Sequence, residues 1–236
     1  MNIPSSVTFI GEGAFYRCSS LKQINIPAFI TEIKNNVFSG CSSLIQIIIP
    51  SSVTSIGDNA FSECSNLTKI TIPSSVTEIG DYAFIGCSSL FELTIPSSVT
   101  EIGENAFNDC TSLVEISIPS SMTKIRKNLF SGCSSLAQIV IPSSVIEIGK
   151  NAFSGCSSLT QIAIPLSVTL IGKNAFIGCS SLKEISIPSF AFSSEKFDIK
   201  ESLSTQSSID KVEDQIPLSI NSNWMGIDSS VNVIKI

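Results

Sequence analysis

Residues Ile72–Leu90 read IPSSVTEIGDYAFIGCSSL. After residues 91–94, a second stretch of the same length, Ile95–Leu113, reads IPSSVTEIGENAFNDCTSL. The first residues of the two stretches differ by 23 in sequence number, and the same spacing separates all eight cysteines, nine of the ten prolines and eight of the 14 phenylalanines. A fixed period of this size indicates stacked repeat units. The fold is therefore decided by one short unit, which recurs eight times over residues 1–188.

The first half of the unit predicts a short strand. In residues 44–66, which read LIQIIIPSSVTSIGDNAFSECSN, Ile47 and Ile49 are two residues apart and share one face of an extended segment. Pro50 follows and ends the strand, because proline has no backbone N–H to donate. Stacked units would pair these strands in parallel, about 4.7–4.9 Å apart.

The second half of the unit predicts a bend and one turn of helix. Val53 and Ile56 are three residues apart, which fits either a tight turn or a second short extended piece. Gly57 permits a sharp bend, and the pattern Ala-Phe-x-x-Cys at residues 60–64 fits one helical turn. The predicted fold class is therefore an α/β repeat, with short strands, turns and single helical turns.

The apolar positions predict continuous columns of like residues inside the stack. A single unit is too short to bury its apolar side chains alone, whereas a stack of units can bury them. Each core position then lies above its counterpart in the next unit. We therefore expect Phe61, Phe84 and Phe107 to touch in succession.

The pattern LxxIxIPxxVxxIGxxAFxxC, repeated at this fixed spacing, resembles the BspA-like class of leucine-rich repeats. The resemblance covers residues 1 to about 188. It implies a curved solenoid with a parallel β-sheet on its concave face. It also implies a binding or adhesion role rather than catalysis, in a class whose members are often found at cell surfaces.

Composition and charge argue against several classes of function. Charged residues make up 14% of the chain and the net charge is −6, with no basic patch of the kind that nucleic-acid binding requires. No apolar run approaches the roughly 18 residues of a membrane-spanning helix. Met1 is not followed by the basic and apolar regions of a secretory signal. Cytoplasmic residence and the cell surface both remain open.

The residues of catalytic and metal sites are missing from the pattern. The chain has no histidine, and its eight cysteines form no Cys-x-x-Cys pair. We therefore expect no enzymatic activity, no cofactor and no metal site. The cysteines are interpreted as small buried hydrophobic residues; disulfides between the equivalent cysteines of neighbouring units are the alternative.

The positions that vary between units predict a binding surface. In each strand the residues between the core leucine and isoleucines point out of the sheet. In the middle of the stack several of them are apolar and are flanked by Gln, Thr and Glu, which is typical of interaction sites. The alternative is that adjacent units or the tail cover them. The predicted partner-binding residues are Ile45, Ile48, Thr68, Phe91, Glu92, Val114 and Glu115.

A second variable position carries a charge pattern along the stack. The residue after the glycine position is mostly acidic in the first five units and basic in the last three, which gives the stack a lengthwise dipole. The dipole predicts end-to-end self-association between molecules, and recent duplication of blocks of units is the alternative explanation. These residues are Glu12, Asn35, Asp58, Asp81, Glu104, Lys127, Lys150 and Lys173.

The period divides the chain into two parts. Residues 1–188 are predicted to form the solenoid of eight units without an N-terminal cap. Residues 189–236 are predicted to form a C-terminal cap and a flexible or partly ordered tail, with a fragment of a further domain as the alternative. In this tail SVNVIKI at Ser230–Ile236 alternates like a strand. The residues expected to cover the last unit are Phe190, Phe192 and Phe197.

These observations predict a non-enzymatic module for protein binding or adhesion, which presents the concave sheet to unidentified protein partners. The alternative is a structural spacer, or a fragment of a larger cell-surface repeat protein. Near-identical units favour that alternative, because specific recognition usually demands more variation along a stack.

Overall fold

A computed structural model of the chain describes residues 1–187, 227 and 230–235. The described residues wind into eight stacked coils, followed by two strands at the C-terminal end of the stack. Each coil from the second onward begins at its core leucine. The coils, numbered 1 to 8, comprise residues 1–20, 21–43, 44–66, 67–89, 90–112, 113–135, 136–158 and 159–181.

Strands are the regular secondary structure of this part of the chain. Coils 2 to 8 each contribute one strand of three residues and one of two residues, and two strands of four residues follow. In chain order the strands are β1 (Gln23–Asn25), β2 (Glu32–Ile33), β3 (Gln46–Ile48), β4 (Ser55–Ile56), β5 (Lys69–Thr71), β6 (Glu78–Ile79), β7 (Glu92–Thr94), β8 (Glu101–Ile102), β9 (Glu115–Ser117), β10 (Lys124–Ile125), β11 (Gln138–Val140), β12 (Glu147–Ile148), β13 (Gln161–Ala163), β14 (Leu170–Ile171), β15 (Glu184–Ile187) and β16 (Asn232–Lys235).

The three-residue strands form the main sheet along one side of the stack. Its order is β1-β3-β5-β7-β9-β11, and after a gap in the pairing it continues as β13-β15-β16. All pairs are parallel, and between coils they join equivalent residues of successive units, such as Ile24 with Ile47. The middle residue of each three-residue strand is buried and the two outer residues are exposed. The register therefore stacks one apolar column inside and leaves polar and variable columns outside.

The two-residue strands form a second ladder on another side of the stack. Their order is β2-β4-β6-β8 and, separately, β10-β12-β14. Each ends at the isoleucine of the Val-x-x-Ile pair, and that isoleucine is buried, as Ile56 and Ile79 illustrate. Of the two possibilities left open for this segment, the second short extended piece is confirmed.

The predicted helical turn, and with it the α/β class, is wrong for the described residues. The segment after the glycine position consists of turns, because two residues four apart adopt a left-handed backbone in every coil. In coil 2 these are Asn36 (φ 59°) and Gly40 (φ 74°), conformations that a right-handed helix excludes. The N–H groups of Asn36, Phe38 and Gly40 point to the next coil and donate to Asp58, Ala60 and Ser62 at 2.7–2.9 Å. Hydrogen bonds between coils replace those of a helix.

The core is a set of continuous columns, as the period predicts. The phenylalanine rings stack from Phe15 to Phe176, with consecutive centroids 5.3–5.8 Å apart and planes within 15° of parallel. Phe61, Phe84 and Phe107 do touch in succession and have no exposed surface. This column runs along the turn segments that follow the glycine position, which we call the turn side, and packs that side of each coil against the two strand ladders.

Seven of the eight cysteines are buried and all eight are free thiols, so the disulfide alternative is not realised. Each buried thiol donates a hydrogen bond to the phenylalanine carbonyl of the preceding coil, at 3.1–3.3 Å, as Cys64 Sγ does to Phe38. The prediction of burial is wrong for Cys18, which lies in coil 1 at the end of the stack and is exposed.

The glycine before the charged column is required by a close approach between coils. A Cβ atom on Gly103 would lie 2.4 Å from the backbone nitrogen of Asp81 and 2.5 Å from the carbonyl carbon of Gly80. Lys34 and Arg126 occupy the same position in coils 2 and 6. At both places the second ladder is interrupted toward the preceding coil, since β2 has no earlier partner and β8 does not pair with β10. In both coils where this position carries a side chain, the second ladder is therefore not paired with the preceding coil.

The glycine position gives a stability prediction. We expect Gly103→Ala to lower the free energy of unfolding by about 1–3 kcal/mol, the usual cost of an atom forced into filled space. Arg126→Ala is the matched control, because it keeps a Cβ where the ladder is already open and loses only an exposed ion pair with Glu101, worth about 0–1 kcal/mol. Urea unfolding of the two variants measures the difference, and equal losses would contradict the role given to the glycine.

The C-terminal strand extends the main sheet. β16 pairs in parallel with β15, joining Glu184 to Asn232, and Ile227 and Val231 are buried against the core. The strand predicted for SVNVIKI is confirmed. The division at residue 188 stays a prediction. The expected covering residues Phe190, Phe192 and Phe197 lie outside the described residues.

Candidate protein-binding surface

The outer face of the main sheet carries three columns of side chains. We call these columns, in coils 2 to 8 and in the strand that follows, the outer face. They are the residue after the core leucine, the first strand residue and the third strand residue. In order along the stack they are Lys22, Ile45, Thr68, Phe91, Val114, Ala137, Thr160 and Lys183; Gln23, Gln46, Lys69, Glu92, Glu115, Gln138, Gln161 and Glu184; and Asn25, Ile48, Thr71, Thr94, Ser117, Val140, Ala163 and Ser186.

The apolar side chains of the outer face are exposed. Phe91 and Val114 each expose 51% of their surface, Ile45 exposes half, and Ile48 exposes 77%. No described segment of the chain lies over them. Whether they bind a partner is a separate matter and stays a prediction.

The structure separates the predicted residues into two groups. Ile45 and Ile48 project from coil 3, whereas Phe91 and Val114 are neighbours on coils 5 and 6. Thr68 lies between the groups on coil 4; it is half-buried, and its hydroxyl donates to the carbonyl of Ile45 at 3.2 Å. The outer face therefore offers two apolar groups with threonines between them.

A recess of about 400 Å³ lies between β7 and β9 in the second group. Only two register pairs join these strands, Glu92 with Glu115 and Leu93 with Ile116, whereas the other main-sheet pairs between coils have three. The register pair that would join Thr94 to Ser117 is therefore missing at the recess. The residues around the recess are Phe91, Glu92, Leu93, Thr94, Val114, Glu115, Ile116 and Ser117.

The charges beside this recess are unevenly paired. Lys69 Nζ lies 2.9 Å from Glu92 Oε1, and both side chains are about half exposed. Glu115 has Glu92 on one side and the neutral Gln138 on the other. Among the described residues no cation pairs with Glu115. The recess thus combines the exposed apolar side chains of Phe91 and Val114 with excess negative charge.

A second recess, of about 460 Å³, lies where β11 and β13 do not pair. Val140 stands beside it and exposes 79% of its surface. The sequence interpretation did not include Val140 among the partner-binding residues. Its position in the same column as Ile48 was the signal that could have identified it.

The charged column on the second ladder is partly held by backbone donors. Asn35, Asp58 and Asp81 each accept, through Oδ1, the N–H of the equivalent residue in the next coil, at 2.7–2.8 Å. These contacts offset the repulsion between stacked carboxylates. Where the column changes from acidic to basic residues, Lys127 Nζ lies 3.8 Å from Glu104 Oε2. End-to-end association through the resulting dipole stays a prediction.

Neither a metal-binding cluster nor a membrane-spanning helix occurs among the described residues. No group of three or more Cys, Asp or Glu side chains is placed to hold a metal ion. No helix in this part of the chain has the length and apolar character needed to cross a membrane.

Comparison with known proteins identifies the repeat. The family described as BspA type leucine rich repeat region matches residues 1–114 and 77–204, in 6 copies. Among proteins of curated function, none matches the chain.

Several solved structures of bacterial proteins are similar to this chain. The T. pallidum leucine rich repeat protein TpLRR is 28% identical, covers 77% of this chain and 76% of its own, and superposes with a TM-score of 0.62. A leucine rich cell surface protein from Faecalibacterium prausnitzii is 27% identical over 99% of this chain and 78% of its own, with a TM-score of 0.47. The pneumococcal vaccine antigen PcpA is 22% identical over 100% of this chain and 67% of its own, with a TM-score of 0.57.

The family match and the geometry agree. The coils, the parallel main sheet and the register of one unit per coil are those of a parallel-sheet β-solenoid of the leucine-rich-repeat type. Because the match extends over more than half of the residues, the chain belongs to the BspA type leucine-rich repeat family.

Proposed function

We propose that the protein is a non-enzymatic binding module that takes a protein partner on the outer face of its main sheet. The observation that carries the proposal is the exposure of large apolar side chains, among them Ile48, Phe91 and Val114, on a sheet face whose residues are mostly polar. Exposed apolar patches rimmed by polar residues are typical of interaction surfaces.

The fold itself does not require apolar residues at these positions. The column of Phe91 and Val114 also holds Lys22, Ala137 and Thr160, and the strands beside them keep the same register. The core columns, in contrast, are almost uniform in residue type. Residues on the outer face can therefore vary for recognition, whereas close packing restricts each core position to nearly one type of side chain.

The alternative is that the repeats act as a structural spacer within a larger surface protein. Its support is the near identity of some units: Ile72–Leu90 and Ile95–Leu113 differ at five of 19 positions. All five positions lie outside the outer face. The similarity of these two segments therefore leaves the recognition columns free to differ.

Capture of partners by the immobilised protein tests the proposal. The double variant Ile48→Glu, Phe91→Glu places charges on the outer face, and Ile146→Glu, Leu166→Glu places the same charges at exposed apolar positions elsewhere. From an extract of the source organism, we expect the wild type and the control to retain a common set of proteins that the outer-face variant loses. Retention of the same proteins by all three would favour the spacer.

A further inference from the structure

We propose that the recess between β7 and β9 receives an arginine side chain of the protein partner. In this arrangement the guanidinium group lies at the carboxylates of Glu92 and Glu115, and its plane packs on the ring of Phe91. The inference rests on the proposed function, because it specifies the partner's chemistry at part of the outer face.

The charge of the recess favours a cationic occupant. Glu92 and Glu115 are direct register neighbours on parallel strands, and like charges in this position destabilise a sheet. Lys69 reaches Glu92 from its far side at 2.9 Å, so one negative charge remains without a counter-ion among the described residues. A partner that supplies this cation relieves the repulsion as it binds.

The sheet does not need this arrangement of charges. The column of Glu92 and Glu115 holds glutamine in four other coils. The neighbours Gln23 and Gln46 lie on strands with three register pairs, whereas Gln138 and Gln161 lie where β11 and β13 do not pair. Glutamine has the same shape as glutamate and would avoid the repulsion. The adjacent carboxylates are therefore not explained by the fold, and a ligand cation explains them.

The apolar part of the recess distinguishes arginine from lysine. Phe91 and Val114, each about half exposed, stand beside it. A guanidinium group is planar and weakly hydrated, stacks on aromatic rings and pairs with carboxylates through two parallel hydrogen bonds. A lysine ammonium group is compact and strongly hydrated, so it gains less from the ring of Phe91.

The backbone pairing at the recess is incomplete. Along the column after the core leucine, the N–H of the residue in one coil donates to the carbonyl of its counterpart in the preceding coil, as Thr68 does to Ile45 and Ala137 to Val114. In this part of the chain the corresponding bond from Val114 to Phe91 is missing, as is the third register pair at Thr94. Hydrogen bonding between the two strands is therefore incomplete on both sides of the Glu92–Glu115 pair, where the recess lies.

The test uses short peptides in place of the unidentified partner. The probes are three bead-bound libraries of the form Gly-x-x-Z-x-x-Gly, in which x is any apolar or threonine residue and Z is arginine, citrulline or lysine. Citrulline has the shape of arginine without its charge. The protein is the full chain, either as wild type or as Glu115→Gln, a variant that other coils of the same column already contain.

We expect the wild type to be retained by arginine beads about tenfold more than by citrulline beads, which is the effect of one charge-assisted interaction. Glu115→Gln is expected to lose most of this preference, and lysine beads are expected to retain less protein than arginine beads. Equal retention by arginine and citrulline, full retention of the variant, equal retention by arginine and lysine, or no retention by any library would each overturn the proposal.

Failure here is distinguishable from failure of the proposed function. Suppose a natural partner is lost by the Ile48→Glu, Phe91→Glu variant but binds Glu115→Gln as well as it binds the wild type. This result would support the outer face as a binding surface and contradict the proposed arginine site. A partner that binds all variants equally would contradict both the proposed function and the arginine site.

Discussion

Phe107→Ala is expected to lower the free energy of unfolding by about 3–5 kcal/mol, the usual cost of emptying a buried phenylalanine site. The ring is fully buried and stacks between Phe84 and Phe130, at centroid distances of 5.6 and 5.8 Å. The coils above and below are fixed by backbone hydrogen bonds, so they cannot move together to fill the space. Urea unfolding followed by circular dichroism measures the loss.

Phe91→Ala is the matched control for this variant. It removes the same side chain from a position that is half exposed on the outer face, where substitutions usually change stability by less than about 1 kcal/mol. The control must therefore remain close to the wild type. If both variants lost the same free energy, the stacked phenylalanines would not be the main support of the turn side.

Raising the pH from 8 to 10 is expected to destabilise the protein strongly. Burial raises the pKa of seven cysteine thiols: that of Cys41 to about 11, that of Cys179 to about 12, and those of Cys64, Cys87, Cys110, Cys133 and Cys156 in the same direction. The thiols are neutral when protonated, so the dry interior favours the protonated form.

The sign of the effect follows from proton binding. Above about pH 9 the unfolded chain releases these protons while the folded chain keeps them, so stability falls as the pH rises. Each thiol contributes up to about 1.4 kcal/mol per pH unit. Since seven thiols act together, the summed loss by pH 10 approaches the whole stability of an ordinary domain, about 5–15 kcal/mol.

Cys110→Ala separates this effect from general alkaline damage. The variant is expected to be less stable than the wild type at pH 7, because a core group is removed and a small cavity remains. Above pH 9 its stability should fall less steeply, because one proton fewer is held by the folded state. Urea unfolding at pH 7, 8, 9 and 10 gives both slopes, and parallel curves would show that the buried thiols do not drive the loss.

The columns of the core could be predicted because they depend only on the period. Equivalent residues of successive units must coincide if each unit makes one coil, and the stack of Phe61, Phe84 and Phe107 follows directly. The exposure of Ile48 follows from strand alternation, and that of Phe91 from its place between the core positions Leu90 and Leu93. Both inferences need no knowledge of the backbone beyond its repeat.

The helical turn was predicted wrongly because the spacing of apolar residues does not report backbone handedness. Ala-x-x-x-Cys spacing fits a helix, yet Asn59 and Glu63 have φ values of 54° and 57° in that segment. The available signal was the recurrence of Asn, with Gly often four residues later, since these residues adopt left-handed conformations most readily. Apolar periodicity outweighed that signal in the prediction.

The recess at the candidate site could not be predicted from the pattern. Phe91, Val114, Glu92 and Glu115 are adjacent in any stack with this period, and that much was foreseen. The incomplete pairing of β7 and β9 depends on hydrogen-bond geometry that no residue type in the unit specifies. The same holds for the interrupted second ladder at Arg126. The replacement of glycine by arginine is visible in the sequence. The close approach between coils, which would place a Cβ on Gly103 2.4 Å from the Asp81 nitrogen, is not.

The strict register between coils also bears on how such a gene can change. Removal or addition of one whole unit would leave every surviving residue above an equivalent partner, whereas insertion of a single codon would break that spacing in the unit that contains it. Unequal crossing-over between segments as alike as Ile72–Leu90 and Ile95–Leu113 is therefore a mutation that folding can tolerate. The length of the outer face, and the number of residues available to meet a partner, can then vary between descendants in steps of one coil.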